Sequence, residues 1–146
     1  MGMHRNFAIL VVVLLLAVGL PVYMAAAQTE NEPALLAGEV WGRGDGLGYN
    51  VSLILGENGR YVARWVGCVG EYGRAEGMWS DVDGGVELRP SREEGMMRGH
   101  LKRLERVSLN GEMRLVPPED IAEVQSMKVG EPFISFLAFK KEARDL

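Results

Sequence analysis

The chain has 146 residues, a formal net charge of −4 at neutral pH, and 19 glycines against a single cysteine. That length holds one domain around one core. The acidic balance argues against a nucleic-acid binder, which needs a basic face, and against attachment to anionic lipid.

The N-terminus addresses the compartment. MGMHRN carries one arginine, a histidine and the free amine, and Phe7 to Leu20 is uncharged. Pro21 and then Ala25-Ala26-Ala27 follow, so a basic head, an apolar stretch and a small-residue end give the three parts of a secretory signal. Cleavage is expected before Gln28, with residues 1–27 as signal peptide, 28–34 as a polar tether and 35–146 as a single β-rich domain. The alternative is an uncleaved anchor, because Phe7 to Ala27 has no charge and is just long enough to span a bilayer. Position 6 is Asn rather than Ser or Thr, and no cysteine sits at the cleavage site, so N-terminal lipidation has no acceptor. The expectation is a periplasmic or extracellular protein with no stable membrane anchor after cleavage.

From Leu35 onward the hydrophobic period is two. Leu36–Gly42 reads as a first strand, and in Tyr49–Leu55 the residues Tyr49, Val51, Leu53 and Leu55 alternate with Asn50 and Ser52. Asn58-Gly59 turns the chain into Arg60–Gly67. Tyr72–Ser80 joins Gly85–Pro90 through DVDGG, with Val86 and Leu88 inward and Glu87 and Arg89 outward. Asn110-Gly111 links a strand over Leu101–Leu109 to Glu112–Val116, and Phe133–Lys140 reads as the last strand. Between them, Pro117-Pro118 opens the one predicted helix. Glu119 and Asp120 lie in its first turn, Ile121, Val124 and Met127 recur at helical spacing, and Gly130 and Pro132 end it. It would act as a lid or plug on one end of the sheet. Sequential strands joined by hairpin turns predict an all-β, about eight-stranded up-and-down antiparallel barrel, lipocalin-like, which removes exposed edges. A strongly curved open sheet or a Greek-key sandwich would also fit the pattern.

GDGLGYNVSLIL (Gly44 to Leu55), ENGRYVARWVGCVGEYG (Glu57 to Gly73) and GMW (Gly77 to Trp79) resemble an uncharacterised group of small secreted bacterial proteins. These share a GDGLGxN opening, a turn, then YxxxWxGCxGxYG and GxW. The resemblance implies export and carries no chemistry. More loosely, the rhythm of strand, turn, Tyr, strand and GxW is similar to lipocalin-like small barrels and to the N-terminal barrel of outer-membrane copper-stress lipoproteins, whose paired cysteines this chain lacks.

Several short motifs dissolve on inspection. Arg43-Gly44-Asp45 spells an integrin-type tripeptide, but the alternating glycines from Gly42 to Gly48 predict a loop before a strand. They do not form a dinucleotide fingerprint, since Tyr49 stands where the motif should close. Asp81-x-Asp83 begins like a calcium loop, yet Val86 and Arg92 occupy its sixth and twelfth positions. Asn50-Val51-Ser52 is a sequon on a predicted strand. Serines occur in no nucleophile-elbow context, and His100 is the one histidine after the signal segment, so Cys68 with His100 is the sole thiol and imidazole pair there. Asp45, Glu71 and Glu76 are carboxylates that could pair as acid and base, or be solvated turn charges.

Alternation along its strand places Val62, Val66 and Cys68 on one face and Trp65 on the other, which predicts a buried, inert thiol. The rivals are a metal ligand and an intermolecular disulfide. Met96, Met97, His100 and Cys68 are soft donors that would suit Cu(I), whereas methionine is also an ordinary filler of cores. The leading expectation is a monomeric, non-enzymatic binding or interaction module without a cofactor. Tyr61, Trp65, Tyr72 and Trp79 would hold an apolar small molecule or an envelope protein. A periplasmic copper-binding protein and an unrecognised hydrolase are the alternatives.

Overall fold

A computed structural model describes residues 37–128 and 131–143. The expected signal peptide, the tether, Leu36 and Gly130 lie outside the described residues. Eight strands are formed: β1 (Glu39–Gly44), β2 (Asn50–Leu55), β3 (Arg60–Gly67), β4 (Gly70–Val82), β5 (Gly85–Gly95), β6 (Arg103–Leu109), β7 (Glu112–Val116) and β8 (Phe139–Lys141). Each pairs antiparallel with the next, and β8 returns to β1, so the sheet is a closed up-and-down barrel.

Period-two alternation builds the interior. Val51, Leu53 and Leu55 of β2 point inward beside Tyr61 and Ala63 of β3, and Val86 and Leu88 of β5 face them as the pattern predicts. Fourteen buried residues from Trp41 to Phe139 form one cluster. They fill the barrel with side chains, as small eight-stranded barrels allow.

The meander places its turns at alternate ends. At one end, Asn110 (φ 55°) and Gly111 (φ 82°) both adopt the left-handed region, which makes the two-residue turn that matches strand twist. The β2–β3 connection is longer than a two-residue turn. Gly56 N–H donates to Arg60 O at 2.8 Å and Gly59 N–H to Gly56 O at 3.0 Å, so four residues make the loop and only Gly59 needs positive φ. At the other end, the mouth, lie residues 45–49, the Cys68-Val69 turn, residues 96–102 and the segment between β7 and β8.

Two bulges re-aim side chains. One separates Glu76 from Gly77, where a Cβ on Gly77 would stand 2.1 Å from Arg89 O beside Pro90. The other lies between Trp65 and Val66. The expectation of a buried Cys68 is overturned beside it, because Trp65 packs on the core and Cys68 lies on the opposite, outer side. Gly67 pairs with Gly70, so Cys68 and Val69 form the turn itself; Cys68 and Val66 are exposed while Trp65 keeps the inward face. Alternation separates Cys68 from Trp65 correctly, but the face it shares with Val66 is the outer one.

The predicted last strand, Phe133–Lys140, is corrected as well. After the 3₁₀ turn Pro118–Asp120 and helix α1 (Ile121–Ser126), a second short helix, α2 (Ile134–Leu137), takes half of it and leaves β8 three residues. Ile134 and Leu137 pack with Ile121, Val107 and Leu109 around buried Val116, Val124 and Ala138. Helical spacing puts Ile134 and Leu137 on one face, whereas a strand would split Ile134 from Leu137. This second cluster contains Val107 and Leu109, whose side chains alternate with inward Leu104. The helical segment therefore packs partly on the barrel's outer wall and is more than an end plug. No described helix is long and apolar enough to cross a membrane.

Candidate functional site

Arg43 is the one buried charged residue among those described, at 7 % exposure. The alternation that turns Trp41 inward turns Arg43 inward too, near the mouth. Its guanidinium lies 4.6 Å from the centre of the Phe139 ring. Arg43 Nη2 approaches His100 Nε2 at 2.5 Å. A guanidinium only donates, so Nε2 is the acceptor, and His100 is neutral with its proton on Nδ1. Burial and the neighbouring Arg43 charge both push His100 below its ordinary pKa, against the pull of Glu119 and Asp120. Burial lowers Arg43 as well, but an arginine keeps its proton at neutral pH.

The loops around this pair are fixed locally. Asp45 Oδ1 accepts from the N–H groups of Leu47 (2.8 Å), Gly48 (2.9 Å) and Tyr49 (2.9 Å), which holds its carboxyl below the usual range and sets Tyr49 at the start of β2. Glu93 Oε1 accepts from Gly99 N–H at 3.0 Å, and His100 N–H donates to Met97 O at 3.1 Å, which shapes the loop that presents His100.

Ring contacts then run from solvent to the cation. Phe133, 59 % exposed, lies 5.5 Å from Phe136, which lies 5.6 Å from Tyr49. Tyr49 meets Trp65 edge-on at 4.7 Å, and Trp65 is 5.0 Å from the His100 ring. Glu119 and Asp120 attract Arg43 through space without forming an ion pair with it. Burial and Glu119 raise Asp120 above its ordinary pKa, and Arg43 and His100 oppose them.

Of the aromatic residues singled out by sequence, Trp65 alone joins this path. Tyr61 is in the core at 1 % exposure, its hydroxyl unpartnered and pushed up to about 12 by burial and Glu93. Trp79 donates from Nε1 to Gly56 O at 2.8 Å, at the opposite end. Tyr72 lies over Gly67, where a Cβ would be 2.3 Å from its ring. Arg43, Tyr49, Phe133, Phe136 and Phe139 were not anticipated. Arg43 had a legible signal, since it follows Trp41 by two residues, but the glycines around it read as loop.

The soft donors are not gathered. Met97 is buried in the core, Met96 is 55 % exposed, His100 Nε2 is taken by Arg43, and Cys68 Sγ faces Leu47 O at 3.4 Å. Among the described residues, no three of His, Cys, Asp and Glu are grouped to hold a metal. The carboxylates considered for acid–base work have other partners: Asp45 its own loop, Glu71 Arg64 at 3.9 Å, and Glu76 Arg74 at 3.3 Å. A groove of about 720 Å³ runs over the β1–β8 seam outside the barrel. Arg114 and Lys140 of its lining share Glu112, at 2.7 Å and 3.6 Å, and Lys141 pairs with Glu39, whereas Arg43, which also lines it, has no carboxylate partner among the described residues.

No family model, curated protein or solved structure matches this chain. What the mouth can do follows from its geometry: a rigid barrel carries half-buried aromatic rings that lead to one inward cation.

Proposed function

We propose that the protein is an exported, non-enzymatic binding module whose barrel is a rigid support and whose mouth recognises an apolar small molecule. The run of ring contacts from exposed Phe133 through Tyr49 and Trp65 to His100 carries this reading. Aromatic surface with a few placed polar groups is the usual make-up of a small-molecule site. The interior is filled, so the ligand is held at the mouth and not in the lumen. The same geometry offers little to catalysis, because each candidate carboxylate has a local partner. The neutral dye N-phenyl-1-naphthylamine tests the reading. It should bind saturably at one site, with fluorescence enhancement that is lost in Tyr49→Ala and Trp65→Ala. Absence of saturable binding, or binding indifferent to both substitutions, would remove the mouth as the site.

A further inference from the structure

We propose that Arg43, at the inner end of the ring path, anchors the carboxylate of a small, flat aromatic ligand that carries a single negative charge. The inference rests on the binding reading above and names the ligand class. Its starting point is a missing partner. Seven other arginines have a carboxylate partner, whereas the most deeply buried one has none among the described residues. A buried lysine can shed its proton; a buried arginine keeps its charge and needs a counter-ion or a full set of acceptors. Arg43 has one acceptor, the neutral ring of His100, and its Nε has none.

An Nε–H and a neighbouring Nη–H form the edge of a guanidinium that a carboxylate meets bidentately. The ligand's chemistry is set by the approach. Tyr49, Trp65 and the His100 ring stand in contact beside the guanidinium's one acceptor, so a flat aromatic body is favoured over a branched or sugar-like one. Glu119 and Asp120 act on Arg43 from a distance. They would repel a second negative charge, so a monoanion fits where a phosphate or dicarboxylate does not. His100 has an Nδ1–H left to donate, and Phe139 backs the guanidinium from the other side.

Calorimetric titration with 2-naphthoate and with 2-naphthamide, its neutral counterpart of the same shape, tests the inference. The wild-type chain should bind 2-naphthoate at one site and 2-naphthamide about 10- to 100-fold more weakly, the usual range for a hydrogen-bonded charge. Arg43→Gln should bring 2-naphthoate down to the level of 2-naphthamide, and Arg43→Lys should keep part of the preference. If Arg43→Gln does not fold, the two wild-type affinities still decide. Equal affinities would overturn the carboxylate anchor and leave the binding module standing. Failure of both compounds, together with failure of the neutral dye, would overturn both readings. A preference that survives in a folded Arg43→Gln would place charge recognition elsewhere and overturn this one.

Discussion

The two ends of the barrel are held by different kinds of interaction. At the hairpin end, short connections meet their backbone demands with glycine and asparagine: Asn110-Gly111 and Gly84 adopt positive φ, and Gly59 does so within its four-residue loop. Ion pairs on that side, such as Lys141 with Glu39 at 2.5 Å, are solvated and contribute little, about 0–1 kcal/mol each. At the mouth, longer loops meet through side chains, and the contacts there are half-buried rings around a desolvated cation with an unpartnered nitrogen. Of the three buried polar atoms without a partner among the described residues, Tyr61 Oη, Arg114 Nε and Arg43 Nε, Arg43's belongs to a cation with no carboxylate beside it and lies where a ligand could complete it.

That contrast can be broken by substitution. Gly111→Ala puts a Cβ into open space, so its cost is purely conformational, roughly 1–2 kcal/mol for forcing an L-residue to positive φ. Urea melts should show that loss with dye binding unchanged; loss of binding would mean that the two ends are coupled. Arg43→Met should do the reverse. It keeps the aliphatic packing on Phe139 and removes an uncompensated buried charge, so stability is expected to rise by about 1 kcal/mol. A loss of similar size would make Arg43 a structural arginine.

Acid should loosen the mouth before the hairpin end. The native pKa of His100 is depressed below its ordinary 6.5, by burial first and Arg43 second. The unfolded chain therefore binds the proton more readily, and stability is lost as pH falls from about 6.5 toward the native value. Asp120 has the opposite sign: its raised pKa means that stability is lost as pH rises above 3.8. Melts across pH 5 to 7 isolate the histidine, and His100→Gln should flatten the profile there; an unchanged slope would assign it to another group. The smallest effect belongs to Cys68. Exposed at a turn, Cys68→Ser should change stability by no more than about 0.5 kcal/mol, and the native thiol should react at once with a labelling reagent. Labelling only after unfolding would restore the buried thiol that strand alternation suggests.

The sequence by itself determined the run of antiparallel hairpins, and the β8–β1 pairing closed it into a barrel. Period-two runs such as Tyr49–Leu55 and the turn dipeptides at Asp83-Gly84 and Asn110-Gly111 are local signals, and local signals fix hairpins and their order. Even Val86 and Leu88 were placed on the correct face. Three features needed the tertiary structure. Which face of β3 turns inward depends on how the sheet closes, and it puts Trp65 on the core and leaves Cys68 exposed at the turn. The helix Ile134–Leu137 is chosen over a strand because Val116 and Val124 offer it a surface to cover. The site itself joins Arg43, Tyr49, Trp65, His100 and Phe136 from strands, loops and a helix that are distant along the chain. Barrel closure brings them together, and no local pattern encodes a contact between residues 57 positions apart.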